Sequence, residues 1–336
     1  MTDFQNQFNT FLNYEPEEDQ SLRNLRRQAF EKFNELGLPT KKWEEWQFTD
    51  FSSFKKSDYR LSWADDLPKL PKEIPGRIPS THLIFMINGH YQSQLSETPE
   101  GVTVSTRLDH FKSNPNHYSI NKSDNPFLAL NTAMMNSGVP ILIDSDVIIE
   151  KPIQVIYLMT DFSEPLMNHP RFSFDIGKNA HATIVEHYMG VSDQKYFVNP
   201  VTQVTIGNNG SLDHVRIQDE NESANHVATT KYILNSNSRL NATCFSSGGQ
   251  LFRHDINLAF GGNGGEATIN GLNLTEDHQH HDQHVVVDHQ SDSCQSHQLF
   301  KYILADKSSG VFNGKVVVRE HTKQTDADQS NKNLLL

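Results

Sequence analysis

Polar turn clusters fall near Lys178, Asn208, Ser236, Gly262 and Gln290, at separations of 30, 28, 26 and 28 residues. Between them lie short β-rich runs such as RFSFDIGKNAHATIVEHY, VTQVTIGNNGSLDHVRIQ, EATINGLNL and LFKYILAD, and from Gly138 onward no helical period is visible. A repeat of that length is one supersecondary unit that must stack on its neighbours to bury its apolar face, which is the mark of a solenoid or a propeller. A propeller blade takes about 40–50 residues, so the shorter unit predicts a β-helix, with two or more strands of about five to eight residues per rung. A jelly roll is the alternative that periodicity leaves open.

The first part of the chain has a different character. Leu22, Leu25, Ala29, Phe33 and Leu36 recur at three- and four-residue steps and predict a helix. Asp19 or Ser21 can cap its start, and Gly37 and Pro39 stop it. The aromatic stretch KKWEEWQFTDFSSF (Lys41 to Phe54) has no catalytic partners, so Trp43, Trp46 and Phe48 are expected to pin it onto a neighbour. Pro68, Pro71, Pro75 and Pro79 mark an extended connector. HLIFMINGHY (His82 to Tyr91) predicts a strand ending in a turn on Asn88-Gly89, and PFLALNTAMM (Pro126 to Met135) a short helix. The expected organisation is a helical N-terminal domain with its proline-rich connector over 1–80, a mixed α/β connecting segment over 81–136, and the β-helix core over 137–336.

Charge and cysteine content exclude several functions. A formal net charge of -12 argues against nucleic acid as the main partner, because a phosphate-binding surface needs concentrated Lys and Arg. No apolar run approaches the ~20 residues of a membrane span, and the acidic, polar N-terminus is no secretion signal. Two cysteines, Cys244 and Cys294, cannot form a disulfide framework or a zinc ribbon; a reducing, cytoplasmic location is expected.

The densest chemistry lies in TEDHQHHDQHVVVDHQSDSCQSHQ (Thr275 to Gln298). His278, His280, Asp282 and His284 alternate, so in a strand they share one face, with imidazole and carboxylate groups of the kind zinc or iron sites use. With Cys294 nearby they form a tentative metal set. The competing reading is a polar ladder between rungs or against a partner, because side chains two apart stand about 6–7 Å from each other along a strand. Cys244 is expected to be a buried structural thiol between strands, and Cys294, flanked by Ser and Gln, to face polar surroundings. Gly261 to Gly265 lacks the Lys-Ser/Thr of a P-loop and reads as a turn. No residue stands out as catalytic.

FSSGGQLFRHDI (Phe245 to Ile256), NGLNL (Asn270 to Leu274), QHHDQHVVVDH (Gln279 to His289), CQSHQLFKYIL (Cys294 to Leu304), GVFNGKVVV (Gly310 to Val318) and KQTDADQSNKNLLL (Lys323 to Leu336) resemble the SufB/SufD family of iron–sulfur cluster assembly proteins, and its SufD branch in particular. LGLPTKKWEEWQFTD (Leu36 to Asp50) looks like the family's entry segment, and ALNTAMMNSGVPILIDSDVIIEKPI (Ala129 to Ile153) like the start of its β-helix. The resemblance implies a right-handed parallel β-helix behind a small helical domain. It also implies a non-catalytic scaffold role beside SufB and the ATPase SufC, with iron or a cluster bound only transiently in the SufB-containing complex. The family's C-terminal helical domain, which docks SufC, and its Cys-x-His-Gly segment are not in this sequence, so no residue here inherits those roles. The apolar ending NKNLLL is read as a rung that continues or docks on another chain. The resemblance favours a ladder or interface for the histidine-rich stretch, though iron entry through it is compatible. A homodimer through the β-helix is a further expectation. An autonomous homodimeric metal-binding module and a β-helix carbohydrate-active enzyme are the alternatives; the latter lacks the usual cluster of acidic residues around a basic one.

Overall fold

The computed structural model describes residues 2–14, 18–63, 66–68, 71–120 and 123–336. Helices α1 (Phe4–Tyr14), α2 (Gln20–Leu36), α3 (Ser52–Lys56), α4 (Arg107–Ser113) and α5 (Pro126–Met134) all precede residue 135. The early strands are β1 (Arg60–Leu61), β2 (His82–Ile87), β3 (His90–Tyr91), β4 (Val102–Val104), β5 (Pro140–Ile143), β6 (Ile153–Met159), β7 (Leu166–Asn168) and β8 (Arg171–Ile176). After them come β9 (His181–Gly190), β10 (Tyr196–Val198), β11 (Val201–Ile206), β12 (Ser211–Glu220), β13 (Asn225–Leu234) and β14 (Arg239–Gly248). The series ends with β15 (Leu251–Phe260), β16 (Glu266–Thr275), β17 (His280–His289), β18 (Gln295–Leu304), β19 (Ser309–Val318) and β20 (Asp326–Leu335).

From β8 on, the chain alternates between two parallel sheets, each strand pairing with the one a full rung away. Arg171, Val201, Thr229, Asp255, His284 and Asn313 lie side by side in successive strands of the first sheet, so the rung repeats every 26–30 residues. The result is a β-solenoid of about seven turns. Its second sheet reaches back to β2, within the stretch read as a connecting segment.

Asparagine makes the turns possible. Asn179, Asn209 and Asn237 adopt φ of 55°, 57° and 55°, a left-handed conformation that Asn tolerates better than most residues. Their side chains then form a ladder, with Asn209 Nδ2 donating to Asn179 Oδ1 at 3.0 Å and Asn237 Nδ2 to Asn209 Oδ1 at 3.4 Å. At another turn only glycine serves: Gly248 has φ 73°, and a Cβ there would lie 1.9 Å from the Glu220 carbonyl oxygen.

The strands run longer than the sequence suggests, ten residues in most rungs. Cys244 therefore lies inside β14 rather than between strands. A continuous apolar core fills the space between the sheets, from Ile84 through Phe174, Ile206 and Leu258 to Phe300. A second core joins the helices to the outer face of the first sheet, through Phe30, Trp46, Phe54 and Phe127 packed against Phe197, Val201, Val227 and Leu251. The predicted helix is α2, capped by the Asp19 carboxylate on the Ser21 amide and ended at Gly37. Its Arg26, 1% exposed, pairs with Glu18 at 2.8 Å and donates to the carbonyls of Ala133 and Met135, tying α2 to the end of α5. Of the three expected aromatic pins, Trp46 is buried, Trp43 is half-buried against the same core, and Phe48 is 64% exposed.

Candidate functional site

Two polar clusters lie on opposite faces of the first sheet. The outer one gathers part of the histidine-rich stretch. His280, Asp282 and His284 project from alternate positions of β17, next to Arg253 and Asp255 on β15. The segment between α2 and α3 covers them. Arg253 is 2% exposed and donates to Asp282 Oδ2 (2.6 Å) and to the Glu45 carbonyl (2.8 Å), while its Nη2 lies 2.9 Å from Asp255 Oδ1. Its guanidinium carbon stands 3.6 Å from the Trp46 ring centroid, a desolvated cation–π contact. Thr49 donates its hydroxyl to Asp282 and lies 3.3 Å from His280 Nε2. His284 bridges Asp282 (3.0 Å) and Glu45 (3.2 Å).

Burial alone would raise the Asp282 carboxyl, but His284 and Arg253 hold it below its ordinary value. Burial would likewise lower His284, and the Asp282 carboxylate raises it instead. His280, without such a charge in direct contact, is pushed down by burial. These groups hold the N-terminal segment against the solenoid: Asp282 and His284 are engaged in ion pairs, while the His280 ring nitrogens lie 3.3 Å and 2.7 Å from the Thr49 and Ser309 hydroxyls. The other two members of that set lie elsewhere: His278 is exposed in the turn before β17, and Cys294 sits in the turn before β18. Cys294 is 0% exposed, its Sγ 3.5 Å and 3.4 Å from the carbonyls of Gly262 and Asp292, so it faces backbone inside the turn rather than a polar surface.

The inner cluster was not legible in the sequence. In β12, His214, Arg216, Gln218 and Glu220 occupy the buried alternate positions, an inward face that reads as solvent-exposed by composition. Glu186 on β9 lies beside Arg216, and Arg216 beside Cys244 on β14. Glu186 accepts from the Thr202 hydroxyl (2.9 Å) and from Tyr188, and lies 3.1 Å from His214 Nε2. His214 Nδ1 lies 2.8 Å from the Tyr232 hydroxyl. Arg216 donates to His226 Nε2 (2.7 Å), stacks over Tyr188 with 4.7 Å to its centroid, and sits 3.9 Å from Glu186. His226 Nδ1 lies 2.7 Å from Glu220. Burial opposes the Glu186 charge, yet His214 and Arg216 hold its pKa at about 2. Burial pushes His254 well below its ordinary value and His281 to about 4, so these imidazoles are neutral near pH 7.

The cluster therefore combines a fixed carboxylate, a fixed guanidinium and buried imidazoles in the packed interior between the two sheets. It positions charge, but it does not activate its thiol. Burial drives Cys244 up to about 12, with Arg216 only partly offsetting it, and burial also raises Cys294. Thiolate is the nucleophilic form, so at pH 8 the Cys244 thiolate population falls on the order of a thousand-fold below that of an ordinary cysteine. Both thiols are expected to resist a disulfide-exchange reagent in the native protein and to react within the mixing time in denaturant. Rapid native labelling of Cys244 would contradict this geometry.

Comparison with known proteins agrees with the fold. Residues 3–155 match the family model of the SufBD protein N-terminal region, and residues 158–336 that of the SUF system FeS cluster assembly SufBD core domain. The chain is 30% identical to an iron–sulfur cluster assembly SufBD family protein of Synechocystis, covering 95% of this chain and 74% of the relative. It is 26% identical to the iron–sulfur cluster assembly protein SufD of Escherichia coli, over 96% of this chain and 74% of that protein. The SufD of Bacillus subtilis is 21% identical over 94% of this chain and 75% of its own length. The chain therefore belongs to the SufBD family of the SUF system. That membership gives it a role in iron–sulfur cluster assembly.

Proposed function

We propose that this chain is a non-catalytic scaffold subunit, acting in the cytoplasm with SufB and the ATPase SufC. The observation that carries this reading is the way its reactive groups are used. The outer histidines and carboxylates close onto the N-terminal segment, the inner ones onto each other, and both thiols sit where burial keeps them protonated. Such a chain offers shape and surface rather than a nucleophile. The cluster is then cargo of the SufB-containing complex and not resident in this subunit. No helix among the described residues is long and apolar enough to cross a membrane.

Size-exclusion chromatography with light scattering tests this, using the chain alone and then mixed with SufB and SufC from the same source. A defined complex with SufB is the expected result. A chain that elutes alone in the presence of SufB overturns the scaffold reading.

A further inference from the structure

Helix α4 and the 3-10 turn after it (Pro115–Tyr118) lie across the outer face of the first sheet, far in sequence from the histidine-rich stretch. They bring His110 and His117 to Asp175, which points outward from β8. One ligand-type atom from each of the three falls within 4.8 Å of the others. His110 Nε2 lies 2.7 Å from Asp175 Oδ2, and His117 Nδ1 lies 3.9 Å from Asp175 Oδ1.

We propose that His110, His117 and Asp175 bind one divalent ion of the zinc class, which latches the α4 segment onto the solenoid. Three features separate this site from an ordinary buried His–Asp pair. First, each ring has a partner on the nitrogen that faces away from the carboxylate. His110 Nδ1 lies 3.0 Å from the Tyr118 hydroxyl, and His117 Nε2 lies 3.3 Å from Thr205 Oγ1. Metal-bound imidazoles are oriented in this way, with the far nitrogen hydrogen-bonded; on the near side, the 2.7 Å contact between His110 Nε2 and Asp175 Oδ2 would open to admit the ion. Second, His117 Nδ1 and Asp175 Oδ1 are buried without any hydrogen bond, though they face one another. Buried polar atoms are seldom left so, and 3.9 Å is too long for a hydrogen bond. Two ligand atoms at zinc distances of about 2.0–2.1 Å stand about 3.3 Å apart in a tetrahedron, so an ion would satisfy both after a shift of several tenths of an ångström.

Third, the donor set and its exposure suit such an ion. Two imidazoles and one carboxylate form a borderline N,N,O set. The side chains are 0% (His110), 14% (His117) and 22% (Asp175) exposed, so the three donors are largely shielded from solvent. The nearby cation Arg171 is directed elsewhere: it stacks on Tyr118 at 5.0 Å, lies 3.3 Å from Asn131 Oδ1 and donates to the His117 carbonyl rather than to the ring.

The test uses the whole chain, stripped with chelator and titrated with Co(II) as a spectroscopic stand-in for Zn(II). One equivalent with the visible absorption of a four-coordinate site, displaced by Zn(II), is expected. His117→Ala and Asp175→Asn are each expected to weaken binding more than 10-fold; His117 is the safer variant because its side chain is partly exposed. Thr205→Val removes only the outer hydrogen bond and is expected to weaken binding about 10–100-fold. Zn(II) should raise the melting temperature of the stripped native chain and leave that of His117→Ala unchanged. Absence of the Co(II) band in the native chain overturns the proposal. So does a full equivalent retained in both His117→Ala and Asp175→Asn, which would place the ion elsewhere, with the histidine-rich strand β17 the first place to look.

Discussion

Arg253→Ala is expected to release the segment around Trp46 from the solenoid and to cost roughly 3–5 kcal/mol of stability. The size follows from what remains behind. Asp282 is 1% exposed and Asp255 is 8% exposed, and both would lose their guanidinium partner while still held in a low-dielectric site. Breaking a buried ion pair from one side is costly because the surviving charge has nothing to offset its desolvation. Trp46 would also lose the stacked guanidinium, worth about 2 kcal/mol when desolvated, and the Glu45 carbonyl would lose its donor. Denaturant unfolding followed by tryptophan fluorescence and by far-ultraviolet circular dichroism should separate in the variant. The fluorescence transition should move to lower denaturant, ahead of the loss of strand signal. Limited proteolysis should cut near Trp43 to Asp50 in the variant and spare it in the native chain. Coincident, unshifted transitions would show that Arg253 does not hold the two parts together.

The repeat was legible because turn chemistry is local. Asn179, Asn209 and Asn237 announce their left-handed turns without any long-range partner, and α2 carries its own cap and stop. Strand length was not legible, because the alternation that marks a half-buried strand depends on apolar residues facing in. In β12 the inward positions hold His214, Arg216, Gln218 and Glu220, so the pattern inverts and the strand looks shorter than its ten residues. The histidines of β17 were visible as a shared face, but Arg253 and Glu45 were not predictable as their partners. Glu45 lies 239 residues from His284, and only the docking of the helical domain brings them together. His110 and His117 drew no attention for the same reason, since the carboxylate that joins them comes from a strand more than fifty residues later.

Glu186→Gln is expected to flatten the acid limb of the stability profile. In the folded chain burial opposes the charge, but His214, Arg216 and Tyr188 hold the carboxyl at about 2, against an ordinary value of 4.5. A depressed folded pKa means that the unfolded chain binds the proton first as pH falls. The contribution is therefore complete above about pH 5 and is lost progressively between there and about pH 2, to a total of roughly 3 kcal/mol. Glutamine cannot titrate, so the variant should lose one proton's worth of slope across that window. It should also be less stable at pH 7, because Arg216 and His214 would face an amide instead of a carboxylate, with Arg216 held 3% exposed. Removing the side chain altogether is harsher: Glu186→Ala leaves the Thr202 and Tyr188 hydroxyls without their acceptor as well, and a loss of about 3–5 kcal/mol is expected. Urea unfolding at pH values from 3 to 7 measures both effects. Parallel profiles for the native chain and Glu186→Gln would mean that the carboxyl titrates inside the solenoid as it does in the unfolded chain, and that the inner cluster does not favour its charge.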